Sequence, residues 1–576
     1  MKDLRHFFTR SHSGVDTDRH TANGLPFFLA AAVFTLLRLA LCSGLWIQFS
    51  AGSNYDDIMQ ISKAFSITNG DWLGEYGSMT LVKVIGYTLI TALFHWMKIP
   101  YLLGWNLIYV LACAVFVWAV APLVRSRLVL LACYLFLLFD PIAFDSSVNR
   151  YYRDIGYYAL AFLAASLFCA FLIRQKVWIA ACGGFALAAA AITREDSQWL
   201  YIYAAGCVTA VLVLRALKKQ AVIRLLGGSV FAALCGYAAL CLPLSWMNHI
   251  YYDTFALDEY NSGSYAAAYG ALSRLDGGLE DPGITIPESE RLLLYQNSDA
   301  FAQLYPYLDA PDALYATWKE VQGEYRTGYF SFVLRSAAEK AGKYTSAREA
   351  DAYFTQLAQE VNAYCEDHPS GPPRKTIVGR FYAKDLPAMA ASWGRGIWLA
   401  VRFSGLSVVP VPAHEDDAYL KIYEDYTGSI CAANRDMEDG SVVENYHPEG
   451  IRLWMQRGCR VLILVYQLLT PILFAAACVC WILWGVSAFR FWKVQSSTLC
   501  LWIAQSSLLC LFLVREVMLA YVDVTAFPTI SYPPYQAASY PILLGFIALV
   551  LCPVISQLLR RKKAPGEEPA LFSKKA

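Results

Sequence analysis

Long apolar runs separated by short charged turns dominate the chain. Runs of membrane length occur at 26–50, 101–123, 128–146, 155–173, 177–193, 198–214, 222–246, 459–486, 497–518 and 537–558. A hydrocarbon core of roughly 30 Å is crossed by about 20 helical residues, so each run predicts a transmembrane helix. Segment 79–97 is almost as apolar, but counting it as a span reverses the side of every later loop. It is read as a helix lying in the outer interface, with Lys83 near its start. The alternative is that it spans and another segment, such as 128–146, only re-enters. The pattern predicts an α-helical polytopic membrane protein of about 10–11 transmembrane helices, with a mostly helical extracytoplasmic insertion.

The charged turns set the orientation. With the N-terminus inside and the runs alternating, Arg125/Arg127, Arg174/Lys176, Arg215/Lys218/Lys219, Arg490/Lys493 and Arg560–Lys563 all face the cytoplasm, as the positive-inside rule requires. The organisation expected is a cytoplasmic segment 1–25, a membrane module 26–250 with a first external loop at 51–100, an extracytoplasmic region 251–458, C-terminal helices 459–558 and a cytoplasmic tail 559–576. Both termini are expected inside, in a multi-pass protein of the cell membrane. The tail reads as disordered. In the insertion, 331–340 and 350–364 show helical periodicity, and 393–411 suggests an interfacial helix returning to the membrane.

Composition supports this class: of 576 residues, 57% are hydrophobic and only 16% charged. The net charge of +1 hides an asymmetry, because 251–455 holds about 30 acids against about 17 bases. The basic remainder belongs to loops that meet an anionic leaflet, so no nucleic-acid partner is implied. Most of the 16 cysteines lie in apolar runs, where they act as small hydrophobes. A Cys365–Cys431 bridge is conceivable. Gly183-Gly184 and Gly227-Gly228 are read as points of close helix packing. No internal repeat of the kind seen in symmetric transporters is present.

Candidate chemistry gathers at the outer helix ends. Tyr55-Asp56-Asp57 follows the first run, and Lys83, Asp145, Arg150, Arg153, Asp154, Arg194, Glu195, Asp196, Arg515 and Glu516 each end or follow an apolar segment. Charge exposed to lipid costs several kcal/mol, roughly, so such groups face a polar cavity or one another. One outer cavity lined by acids and arginines suits a substrate bearing a phosphate for arginine and a hydroxyl for aspartate. Each group also has a plainer reading. Asp56-Asp57 could cap the next helix, Arg194-Glu195-Asp196 could be a solvated turn, and Arg150, Arg153 and Asp154 could be interfacial anchors beside Tyr151 and Tyr152. Arg515-Glu516 could be a structural ion pair, Lys83 could snorkel to headgroups, and Tyr532, Tyr535 and Tyr540 read as an aromatic belt. His414 beside Glu415-Asp416-Asp417 reads as solvated surface. No zinc, Walker, nucleophile-elbow or dinucleotide signature occurs.

Four features in order resemble the GT-C superfamily of membrane glycosyltransferases, and most closely bacterial members related to protein O-mannosyltransferases and aminoarabinose transferases. They are Tyr55-Asp56-Asp57; Gly70-Asp71-Trp72-Leu73-Gly74-Glu75-Tyr76; Thr80-Leu81-Val82-Lys83-Val84-Ile85-Gly86-Tyr87; and Thr193-Arg194-Glu195-Asp196. Val84 and Ile85 stand where that family usually has prolines, and Asp57 where it often has Glu. The resemblance implies inverting transfer of a sugar from a polyprenyl-phosphate donor to an extracytoplasmic acceptor. Asp56 and Asp57 are then the catalytic candidates, with Asp56 as general base. Lys83, Arg153, Arg194, Glu195, Arg515 and Tyr76 are the substrate-binding candidates. Asp57 could orient an arginine or the acceptor, or help hold a divalent ion; no cofactor is otherwise implied and no metal ligand set is assigned. The expected partners are the lipid-linked donor, a glycan, lipid or protein acceptor, and membrane lipids. Two other classes stay open at this point: a transporter or flippase of a lipid-linked intermediate, with charges near the bilayer midplane, and a non-catalytic envelope sensor.

Overall fold

The computed structural model describes residues 25–49, 55–217, 223–275, 281, 283–319, 323–368, 370–373, 379, 381–490 and 496–563. The segment 1–24 and the tail after 563, with the expectations placed on them, lie outside the described residues. The chain runs α1 (Leu25–Ser43), β1 (Ile47–Gln48), α2 (Asp57–Asn69), α3 (Gly86–Trp96), α4 (Tyr101–Val120), α5 (Arg127–Leu138), α6 (Asp154–Arg174), α7 (Val177–Thr193), α8 (Gln198–Leu217) and α9 (Ile223–Tyr252). The insertion follows as α10 (Gly263–Leu272), α11 (Glu288–Asn297), α12 (Thr327–Lys340), α13 (Ala347–Asp367) and α14 (Leu386–Val401). A small sheet comes next, built of β2 (Ala413–Asp416), α15 (Asp417–Thr427), β3 (Cys431–Asp436) and β4 (Val442–Glu444). Three long helices close the chain: α16 (Gly450–Arg490), α17 (Ser496–Thr525) and α18 (Ser539–Lys563).

The protein is an α-helical polytopic membrane protein. Among the described residues, 8 helical segments are long and apolar enough to cross a membrane: α1, α4, α5 with the 3-10 turn after it (Arg127–Phe144), α6, α8, α9, α16 and α18. At 17 residues α7 is shorter, though apolar. Helix α3, within the ambiguous segment 79–97, has 11 residues. At 1.5 Å rise per residue that is about half of a hydrocarbon core. It is too short to span.

Two expected spans are shorter as helices than their apolar runs. The first ends at Ser43, because the next backbone groups are claimed by strands: Ile47 N–H donates to Ile430 O at 2.9 Å and Gln48 N–H to Asn149 O at 3.2 Å. In 128–146 the α-helix stops at Leu138, before Pro141, and Asp140 caps a short 3-10 turn through Ile142 N–H at 3.1 Å.

Close helix packing occurs at one of the two glycine pairs. A Cβ on Gly184 of α7 would lie 2.0 Å from the Ala233 carbonyl oxygen of α9, and one on Gly236 of α9 would lie 2.2 Å from Ala181 O. The pair 227–228 has no such role: nothing lies within 4 Å of a Gly227 Cβ, and Gly236 takes that part instead.

The insertion contains two differently attached parts. Helices α10, α12 and α13 bury Tyr265, Leu272, Phe330, Leu334, Phe354 and Leu357 in a second core, which also takes in Met59 and Val82 of the first external loop. Residues 400–433 share the main core with the membrane helices through Val401, Phe403, Leu420, Tyr423 and Cys431. Nothing in the sequence pattern announces the sheet that does this. β1 and β2 both pair with β3 in parallel, and β4 pairs with β3 antiparallel. Cys365 packs in the insertion core and Cys431 in β3, and both are free thiols, so no bridge joins them. The interfacial helix expected at 393–411 forms earlier, as α14, and packs on α17.

Candidate active site

Four chain segments bring the site together. β1 pairs with β3 on one side, while Gln48 bridges Arg150 on the other. That arrangement sets the loop 147–153 beside the start of α2. The turn between α7 and α8 supplies Arg194, Glu195 and Asp196, and the coil before α3 supplies Lys83.

Asp56 stands at the N-cap position of α2 yet makes no side-chain capping bond. Its carboxylate, 34% exposed, turns instead to the Lys83 ammonium and lies 3.6 Å from Arg150 Nη2. The reading of Asp56 as an ordinary helix cap is thereby corrected. Burial alone would raise its pKa, but the positive charges of Lys83 and Arg150 and hydrogen bonds from Lys83 and Tyr152 outweigh that and hold it at about 2. Lys83 Nζ also donates to Tyr55 O at 2.7 Å and to the Tyr152 hydroxyl at 2.8 Å. Lys83 is only 5% exposed, so it does not snorkel.

Asp57 is fully buried, its two oxygens 2.6 and 2.9 Å from Arg150 nitrogens. Asp57 thus orients an arginine, one of the roles open to it. Among the described residues no cluster of three or more His, Cys, Asp or Glu is placed to hold a metal ion.

Glu195 joins two segments: Oε1 accepts from Val84 N–H at 3.1 Å and Oε2 from Arg153 Nη1 at 2.5 Å. Arg194 pairs with Asp154 and, through Nε at 2.9 Å, with Asp196. Arg515 is fully buried and reaches Asp196 at 2.8 Å and the Tyr535 carbonyl at 3.0 Å. The turn 194–196 is therefore a buried ionic node and not a solvated loop. Burial works against the charged form of Asp196, but Arg194 and Arg515 hold it at about 2. Across the cluster five carboxylates (Asp56, Asp57, Asp154, Glu195, Asp196) face five cations (Lys83, Arg150, Arg153, Arg194, Arg515).

A cavity of about 570 Å³ opens over this cluster, within the ordinary range of ligand pockets. Its ionic end is lined by Asp56, Lys83, Arg153, Arg194, Glu195 and Asp196. Met518, Leu519, Val522 and Phe527, from the end of α17 and the turn after it, form an apolar wall. The insertion supplies Tyr260, Asn261, Tyr329 and Phe332.

Three candidates lie outside that lining. Asp57 and Arg515 are buried behind it. Tyr76 donates to Glu259 at 2.8 Å and stacks on Tyr344, so it joins the first external loop to the insertion. Glu516 does not pair with its neighbour Arg515; a Cβ on Gly396 of α14 would lie 2.5 Å from Glu516 Oε2. Asp145 accepts backbone bonds from Ser147, Val148 and Ser407, a structural role.

Sequence reasoning misses several members. Tyr152 and Tyr535 read as interfacial residues, yet both line the cavity, Tyr535 beneath the Arg194 guanidinium at 5.1 Å. Tyr540 is fully buried and Tyr532 is 37% exposed, so the three tyrosines form no single belt. Lys63, on α2, is buried near Lys83, Arg153 and Arg335. Its position seven residues after Asp56, on the same helix face, is the available signal. Arg38 interrupts the first apolar run and is fully buried, bonded to Asn106 at 2.8 Å and to the Leu138 carbonyl.

No family model matches the chain, and no curated protein does. Among solved structures, the crystal structure of ArnT from Cupriavidus metallidurans in the apo state is similar over 92% of this chain and 78% of that chain. The identity is 10% and the TM-score 0.27. A likeness of this size carries nothing about the chemistry of the site.

Proposed function

We propose that this protein is a membrane glycosyltransferase that moves a sugar from a polyprenyl-phosphate donor to an acceptor hydroxyl, with Asp56 as general base. One observation supports the reading above the others. A partly exposed carboxylate sits in a cavity with a cluster of cations at one end and an apolar wall on α17 at the other. That lining matches an amphiphile with a phosphate at its polar end.

The acceptor oxygen attacks the anomeric carbon as the bond from that carbon to the phosphate oxygen breaks. The leaving phosphate keeps the electron pair, and the acceptor proton passes to Asp56. Positive charge develops on the sugar and negative charge on the phosphate, beside Lys83 and Arg153. In the free protein Lys83 neutralises Asp56. A phosphate that engages Lys83 weakens that ion pair and raises the basicity of the carboxylate as the donor arrives. Arg194, held by Asp154 and Asp196, and Arg515, held by Asp196, position the ionic node. The insertion covers the cavity and presents the acceptor side.

The test is turnover of purified protein with a panel of polyprenyl-phosphate sugars. Asp56→Asn, which keeps the shape and removes the base, is expected to lower kcat by about 100-fold or more. Transfer that survives this substitution removes Asp56 as the base. Because Asp56 stays ionised to about pH 2, kcat/KM is expected to show no loss from this group between about pH 8 and pH 5.

A further inference from the structure

Tyr152 has no part in the scheme above, yet the cations of the site surround it. Its hydroxyl accepts from Lys83 Nζ at 2.8 Å and from Arg153 Nη2 at 3.0 Å. Lys83, Arg150 and Arg153 lie 5.0, 5.2 and 5.1 Å from the centre of its ring. A phenol oxygen has two acceptor sites and one proton. Two cationic donors fill the acceptor sites.

This arrangement holds an ammonium and a guanidinium side by side against their mutual repulsion. Each also has its own acid, Asp56 for Lys83 and Glu195 for Arg153. The shared phenol oxygen keeps both cations at the cavity, where an anion can touch them together. A cation bonded only to its acid has no such constraint.

We propose that Tyr152 is a positioning residue: its hydroxyl poises Lys83 and Arg153 as a paired cation for the donor phosphate. The proposal rests on the transferase reading and adds a determinant of donor binding to it. The acceptor makes no use of the paired cation.

Tyr152→Phe removes one oxygen and keeps the ring under all three cations. The loss of hydrogen bonds to charged groups predicts a rise in donor KM of roughly tenfold. The acceptor KM stays unchanged. Farnesyl phosphate, used as a non-reacting probe and followed by thermal shift, is expected to bind Tyr152→Phe about tenfold more weakly than wild type. An unchanged donor KM and probe affinity, beside an inactive Asp56→Asn, overturns the inference and leaves the transferase reading standing. Equal losses for donor and acceptor with a lowered midpoint make Tyr152 a structural residue, which also overturns it. Wild-type protein that neither transfers sugar nor binds the probe overturns the reading and the inference with it.

Discussion

Lys63 shows how the site's balance of charge reaches residues beyond the cavity. Burial pushes its ammonium down, and repulsion from Lys83, Arg335 and Arg153 pushes it further, to about 7. Unfolded, the same group titrates near the ordinary lysine value of about 10.4. From about pH 7 to that value the unfolded chain binds the extra proton, so stability rises with pH across this window. Below about pH 7 the full penalty applies. Lys63→Met is expected to raise the thermal midpoint by about 2–4 °C at about pH 6, with the gain fading towards about pH 10. Equal gains at both pH values would show that the lysine is not kept neutral in the folded protein.

Helix packing carries its own prediction, since α7 and α9 meet backbone to backbone. The atoms facing Gly184 and Gly236 are carbonyl oxygens, which cannot swing aside like the end of a side chain. Gly236→Leu should force the helices apart at a cost of about 1–3 kcal/mol or more, read as a lowered midpoint and poor recovery from detergent. By contrast, a Cβ on Gly206 of α8 would meet nothing within 4 Å. Gly206→Leu is expected to be tolerated, and the better helix propensity adds up to about 1 kcal/mol. The sheet is a second element with mechanical consequence. The short strand β1 connects Arg150 on one side with Cys431 on the other, so it ties the site loop to β3.

Across the whole molecule, one buried arginine docks the insertion onto the membrane part. Arg335, on α12, is 1% exposed and donates to Ser78 O at 2.8 Å and to Glu259 at 3.0 Å. Arg335→Met leaves Glu259 with the Tyr76 hydroxyl but without its cation, at a cost of about 1–3 kcal/mol. Faster hydrogen exchange in α12 and α13, with α4 and α6 still protected, is the expected signature. If the insertion presents the acceptor, this variant changes acceptor choice before it changes donor affinity.

The membrane class of the protein was legible from sequence because hydrocarbon admits few solutions: apolar length and unbroken helix go together. The pair Asp56-Asp57, Lys83 and the turn 194–196 were legible for a related reason, since charge at a helix end within the bilayer boundary must be solvated, paired or used. Other facts depend on residues far apart in the chain. The strand β1 is too short to have a pattern of its own and exists only because residues 149–151 and 430–432 approach it. Tyr152 and Tyr535 read as interfacial aromatics until the fold set cations against them. Asp56 and Asp57 are neighbours with the same side chain, and sequence cannot tell them apart. Hydropathy and the cost of burying charge make the helices, and the charges they must shelter, readable along the chain. That Asp56 opens into the cavity while Asp57 is sealed against Arg150 follows from folding alone, because it depends on which distant side chains arrive beside each carboxylate.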